Sequence, residues 1–274
     1  MSIAAHPGLQ IWFKIALGVA LAVALTFLTL PVAAIFVNSS PRELASSLGD
    51  PVARDALWLS LKTTAISLAL IVAIGTPAAY FLATRRFPGR AVAITLVELP
   101  LVLPPAVAGI ALLAAVGPSG ILGGVVSATG IELVLQTAGV VVALTFVASP
   151  FYVRQAHAAF GSVEHTLIEA SRTLGASEAR TFARIVIPAA APSLVAGMGL
   201  ALGRALGEFG ATLMFAGSFR GVTQTVPLAI YDRFATDFPA ALALSAVLVA
   251  VSAAILLSIK FVVGSEILGG SASR

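Results

Sequence analysis

Not one cysteine occurs in the 274 residues. Disulfides, thiolate metal ligands and a cysteine nucleophile are therefore excluded, and redox chemistry says nothing about compartment. Charge is scarce too: 10% of residues are Asp, Glu, Lys or Arg, against 59% hydrophobic. Histidine occurs only as His6, His157 and His165, all outside the long apolar runs, where an imidazole is most simply a surface or interfacial group. There is no G-x-x-x-x-G-K-[ST], no H-E-x-x-H and no G-x-S-x-G. The usual routes to nucleotide binding, zinc hydrolysis and serine nucleophilic chemistry are thus missing. An intramembrane enzyme would need a converging nucleophile and base, and neither is evident. No cofactor or metal site is expected, and no internal repeat is found.

Long hydrophobic runs fill the space. A mean hydropathy of +1.03 lies far outside the range of soluble chains. The pI of about 10.0 does not point to nucleic acid, because the basic residues are scattered among short segments between apolar runs, which is the pattern of membrane topology. Uncharged stretches run from Ile15 to Pro41, Thr63 to Thr84, Leu133 to Val153, Ile185 to Gly203 and Phe238 to Ile259. Each supplies the roughly 20 apolar residues that a spanning helix needs. A sixth span is expected at Ala91–Ala115, with Glu98 inside it. The first run is too long for a signal-peptide core and reads as a retained helix. The fold class is thus all-α: a polytopic membrane protein with about six transmembrane helices and lipid as its solvent.

Six spans put both termini on one side. Segments on that side carry ten Lys and Arg residues, Arg85, Arg86, Arg90, Arg172, Arg180 and Arg184 among them, against five on the other. The richer side is expected to face the cytoplasm of a cell inner or plasma membrane. Three regions follow. Residues 1–55 hold an amino-terminal span and a polar outer stretch, residues 56–262 form the core with a cytoplasmic loop at 158–187, and 263–274 form a short cytoplasmic tail. The Gly- and Ser-rich segment Gly117–Gly130 reads as a flexible outer connection.

Helix breakers stand where a plain anchor would not need them. Pro77 interrupts the second span, and Pro100, Pro104, Pro105 and Gly109 crowd the third. Breaks at membrane depth are tolerated where the freed backbone faces protein or a hydrated cavity, so the third span is a candidate pathway lining. A kinked packing helix is the plainer alternative. Glu98 falls roughly 12 Å into that span at helical rise. Arg204 and Glu208 stand at i and i+4 near the outer end of the fifth span and share a face. Charges at such depth are functional candidates, though pairing also makes them tolerable as structure.

The polar stretch Glu169–Pro188 reads as two short helices parted at Gly175, a residue free to take the left-handed turn. The first is expected around Glu164–Leu174. Ser177 is placed to cap the second, with Glu178 in its first turn. Arg180 and Arg184 lie on one face, with Phe182, Ile185 and Val186 on an apolar side. Pro188 suits the first turn of the following span.

Glu169-Ala170-Ser171, three residues, Gly175, nine residues, Ile185, one residue, then Ile187-Pro188 resembles the "EAA" signature of ABC importer permeases. Ser171 and Ile187 depart from it mildly. Arg204-Ala-Leu-Gly-Glu-Phe-Gly-Ala-Thr212, Met214–Gly217, Thr223–Tyr231 and Glu98–Pro105 resemble the molybdate branch of that family, over most of the chain from Leu57 to Val262. Sulfate permeases share the Arg-Ala-Leu-Gly-Glu core but usually differ at Thr212 and downstream. The resemblance implies a type I ABC importer. Its parts would be two copies of this subunit, two cytoplasmic ABC ATPase subunits and an extracytoplasmic oxyanion-binding protein, carrying molybdate or tungstate. Sulfate or thiosulfate is the runner-up. On that resemblance Glu164, Glu169, Ala170, Ser171, Gly175, Ala176, Phe182 and Pro188 would couple to the ATPase. Glu98, Pro104, Pro105, Arg204, Glu208 and Thr212 would line or gate the pathway. A secondary transporter is the other class to weigh, but no matched partner half accompanies the broken third span.

Overall fold

In the computed structural model, which describes residues 7–271, every regular element among the described residues is helical. His6 and Arg274 lie outside them. The helices are α1 (Pro7–Val37), α2 (Pro41–Gly49), α3 (Pro51–Thr84), α4 (Arg90–Glu98), α5 (Pro105–Val116), α6 (Gly123–Ala128), α7 (Thr137–Gly161), α8 (His165–Thr173), α9 (Glu178–Thr181), α10 (Ile187–Leu206), α11 (Gly210–Ala216), α12 (Val226–Phe234) and α13 (Phe238–Ser271). Five helical stretches are long and apolar enough to cross a membrane: Ile11–Val37, Pro51–Thr84, Thr137–Gly161, Glu178–Leu206 and Phe238–Ile259.

The sixth expected span, Ala91–Ala115, is not one helix. It is α4, a single 3-10 turn at Leu99–Leu101, a break, and then α5 with Pro104 at its N-cap. Prolines at 100, 104 and 105 remove three successive chances for an intrahelical donor.

Several boundaries differ from the hydropathy reading for one reason: charge ends an apolar run without ending a helix. α3 starts at Pro51 and carries Arg54, Asp55 and Lys62 in its first turns. The polar stretch before it holds α2, closed by a capping box in which Ser40 Oγ accepts from Glu43 N–H and Glu43 Oε2 accepts from Ser40 N–H. Asp50 caps α3 by accepting from Val52 N–H at 2.9 Å, and pairs with Arg233 across the fold. Burial pushes the Asp50 carboxyl up, but the Arg233 hydrogen bond, the Val52 N–H and the Arg233 charge outweigh it and hold the group below its ordinary value. The segment 117–130 is not a loose connection: it turns tightly at 117–123 and then forms α6. A Cβ on Gly117, Gly120 or Gly123 would stand 2.4, 2.8 and 2.5 Å from a backbone oxygen. Helical backbone also continues to Ser271, through most of the expected tail at 263–274.

The core lies where α3, α7 and α10 cross. Small residues let these backbones approach: a Cβ on Gly75 would meet the Tyr152 ring and Val153 at 3.0 Å, and one on Gly197 would meet Gln155 Cβ at 3.0 Å. Hydroxyls tie the seam, Ser67 Oγ donating to Val141 O at 3.0 Å and Thr76 sharing a 2.6 Å bond with the Tyr152 hydroxyl. Ile71, Val140, Leu144, Tyr152, Leu194 and Ala201 fill the centre. α1 is the opposite case, with residues 11–33 all exposed.

Candidate functional site

The loop between α7 and α10 is built around Gly175, whose φ of +81° ends α8 in the left-handed region. Ala176 N–H donates to Ser171 O at 3.1 Å and Gly175 N–H to Arg172 O at 2.9 Å. These are the paired bonds that close a helix on a left-handed residue. A Cβ at Gly175 would touch nothing within 4 Å, so φ alone selects glycine. Ser177 Oγ then accepts from Arg180 N–H at 3.3 Å and starts α9, with Glu178 in its first turn. Ser171 and Thr181 share a 3.0 Å hydroxyl contact, so the serine that departs from the signature's alanine fastens α8 to α9.

α8 buries none of its residues. Glu164 precedes it as N-cap without a side-chain bond, and His165 pairs with Glu169 at 3.0 Å on the open face. Leu167 and Leu174 are also exposed, Leu174 by 89%. α8 thus leaves both its apolar and its charged groups on the outside. Phe182 is half-buried and opens a π turn, Phe182–Val186, which leads without interruption into α10. The helix that carries the apolar run from Ile185 therefore begins at Glu178. Pro188 sits in the first turn of α10. Its ring would press on the carbonyl of Arg184 in an unbroken α-helix, and the wider π turn relieves that clash.

At the other end of α10 the helix stops at Leu206, and Glu208 falls in the turn before α11. Glu208 is 1% exposed. One oxygen, Oε1, accepts from Ala211 N–H at 2.6 Å. The other, Oε2, lies 2.5 Å from a guanidinium nitrogen of Arg204 but off the hydrogen-bonding direction, so that contact is one of charge. The carboxylate thus closes the start of α11 and neutralises Arg204 together. Gly210 lets α5 in: a Cβ there would stand 2.7 Å from Pro105 Cβ, and one on Gly109 would stand 2.7 Å from Ala211 O. Thr212 is fully buried, its hydroxyl without a hydrogen-bond partner. Pro105, Arg204, Glu208 and Thr212 therefore share one neighbourhood, with Pro104 leading into it.

Glu98 stands apart. It lies 3.7 Å from Arg154 of α7, both partly exposed. Hydropathy places Arg154 among the loop charges, but it sits inside α7, seven residues before its end. Spacing could not reveal this pair, nor the contacts of Arg85 with Glu178 at 2.5 Å and of Tyr80 with Phe182 at 4.4 Å between ring centroids. Both of the latter join residues about a hundred positions apart.

With this geometry in view, comparison with known proteins is direct. Residues 75–265 match the family described as binding-protein-dependent transport system inner membrane component. The chain belongs to that family of multi-pass membrane transport components. It is 42% identical over 237 residues to the molybdenum transport system permease protein ModB of Mycobacterium tuberculosis, covering 86% of this chain and 89% of that one. It is 33% identical over 254 residues to the sulfate transport system permease protein CysT of Salmonella typhimurium, covering 90% and 91%. Among solved structures, a chain of the bacterial alginate ABC transporter, in complex with an alginate pentasaccharide-bound periplasmic protein, superposes with a TM-score of 0.74. Identity there is 17%, over 92% of this chain and 94% of that one. The fold is that of a type I ABC importer permease, as the sequence resemblance implies.

Proposed function

We propose that this chain is the membrane-spanning permease of an ATP-driven importer of molybdate or tungstate. The observation that carries the reading is the 42% identity to a molybdenum permease over most of both chains, against 33% to a sulfate permease. Sulfate remains the second reading on the strength of that relative. In the proposed assembly two copies of the chain enclose a hydrated path, two cytoplasmic ATPase subunits drive it, and an extracytoplasmic binding protein delivers the anion. Both termini face the cytoplasm, as does the loop around Gly175.

The residues take the following parts. α8, with Glu164, Glu169, Ala170 and Ser171, docks on the ATPase. Gly175, Ala176, Phe182 and Pro188 set the angle between that docking helix and the span. Pro104, Pro105 and Thr212 shape the pathway where α5 meets α11, while Arg204 and Glu208 hold the turn beside it. The scarcity of cations within the apolar runs suits an anion that passes without being caged. Glu98, the remaining pathway candidate, acts as the ion-pair partner of Arg154.

The test is genetic. Deleting the gene should abolish activity of a molybdenum-dependent enzyme at low external molybdate and leave growth on sulfate unchanged, with high molybdate restoring the activity. A strain that instead requires reduced sulfur, with its molybdoenzymes intact, overturns the substrate.

A further inference from the structure

The loop is joined by chain to α10, yet its side chains reach the end of α3. The Phe182 ring lies against Tyr80, and Tyr80 also meets Phe160 of α7 edge-on at 5.6 Å. Five residues beyond Tyr80, Arg85 pairs with Glu178. Through the Ser171–Thr181 contact, α8 is fastened to the same short segment. The end of α3, α9 and α8 thus form one block.

α3 is weak just inside that block. Pro77 lacks an N–H, so the carbonyl of Ala73 has no intrahelical donor there. On the far side of the proline the helix is pinned, because Thr76 bonds the Tyr152 hydroxyl and Gly75 packs on the Tyr152 ring. A pinned point, a proline and a held end make a lever. A groove of ≈ 460 Å³ runs between the two members of the block, with Pro77, Tyr80 and Phe81 on one wall and Ala179 and Phe182 on the other, so they meet through the ring contact and the ion pair rather than along a fully packed face.

We propose that Tyr80 and Arg85 are coupling residues, making the end of α3, hinged at Pro77, a second output through which movement of α8 reaches the bundle. This rests on the reading of α8 as the helix that docks on the ATPase. The two contacts contribute unequally. Both members of the Arg85–Glu178 pair are about half exposed, so water and salt weaken it. The ring contacts of Tyr80 are the stronger handle.

The experiment uses the complete transporter, with its ATPase and binding protein, in liposomes. It measures ATP hydrolysed per anion delivered, with molybdate and sulfate as the two probes. Tyr80→Ala should raise that ratio about fivefold, as the loss of its one aromatic contact with the loop implies, with unchanged assembly yield and ATPase rate. Tyr80→Phe should restore it, since the ring alone makes the contacts. An unchanged ratio in Tyr80→Ala overturns the proposal. Because the sequence has no cysteine, Arg85→Cys and Glu178→Cys joined by a reducible bifunctional thiol reagent, whose spacer replaces the reach of the two long side chains, give a second test that stands even if Tyr80→Ala fails to assemble. A block that moves as one transports normally when cross-linked. Inhibition relieved by reductant shows independent movement and refutes the lever. A wild-type complex that moves neither anion sinks the importer reading and the lever with it. Transport of sulfate alone changes the substrate and leaves both tests in force.

Discussion

At the loop end of α10 no residue of α8 is buried, whereas at the other end a carboxylate, Glu208, is 1% exposed. Both ends solve the same problem, turning a chain sharply while satisfying its polar groups. The loop does so with backbone: a glycine in the left-handed region, two closing bonds and a serine cap. Its charged side chains stay in water and cost little. The 206–211 turn does so with one buried side chain that serves two partners, Ala211 N–H and Arg204. A turn made by backbone conformation tolerates most side-chain changes except at its glycine. A turn made by a buried carboxylate depends on that residue wholly.

The largest effect should follow from Glu208→Ala. It leaves Arg204 with an uncompensated charge in the low-dielectric interior, a loss of about 3–5 kcal/mol, read as a fall in the thermal midpoint and yield of the purified protein. Glu208→Gln keeps an acceptor for Ala211 N–H and should fall between. The exchanged pair, Arg204→Glu with Glu208→Arg, should not recover stability, because an arginine at 208 cannot accept from Ala211. Recovery to the wild-type midpoint would show that charge alone matters and would erase the contrast between the two ends.

A middling effect is expected at Gly175. A β-branched residue there meets no atom but must hold a positive φ, at about 1–2 kcal/mol. Gly175→Val should leave membrane insertion and the bundle's melting nearly unchanged while uncoupling ATP hydrolysis from uptake. Gly175→Asn, which tolerates that conformation, should be milder. Equal uptake by the valine variant and wild type would remove the coupling role of the turn.

The smallest effect is a test by pH, away from both ends of α10. Because the Asp50 carboxyl is held below its ordinary value of 3.8, its stabilising contribution is complete above that pH and is lost as pH falls through the lower, folded value. The difference in thermal midpoint between wild type and Asp50→Asn should shrink on acidification below about pH 4. A difference that stays constant would mean the pairing with Arg233 does not hold the first turn of α3.

Features made by residues near one another in sequence are the most legible. Gly175 and Ser177 do what their types do anywhere, so local sequence alone spells out the helix–turn–helix. The five long spans are legible in hydropathy, because lipid imposes one composition over a fixed length. Ends set by capping are harder: α3 reaches back to Pro51 because Asp50 caps it, and no hydropathy window weighs a cap. The pairing of Arg204 with Glu208 follows from spacing, but the carboxylate's second partner does not, since the i, i+4 rule assumes an unbroken helix and this one stops at Leu206. Tyr80, Arg85 and the Arg154–Glu98 contact are invisible for a simpler reason. They are set by which helices the bundle brings side by side, and that is not encoded in local pattern.

The π turn at Phe182–Val186 carries a consequence for the phase of the helix. One extra residue in a turn shifts everything beyond it by about 100° around the axis. A single helical wheel drawn from Glu178 to Leu206 would therefore assign Arg180 and Ala201 to faces measured from different origins. Removing one residue between Phe182 and Val186 would not shorten the helix so much as rotate α8 and α9 about the axis of α10.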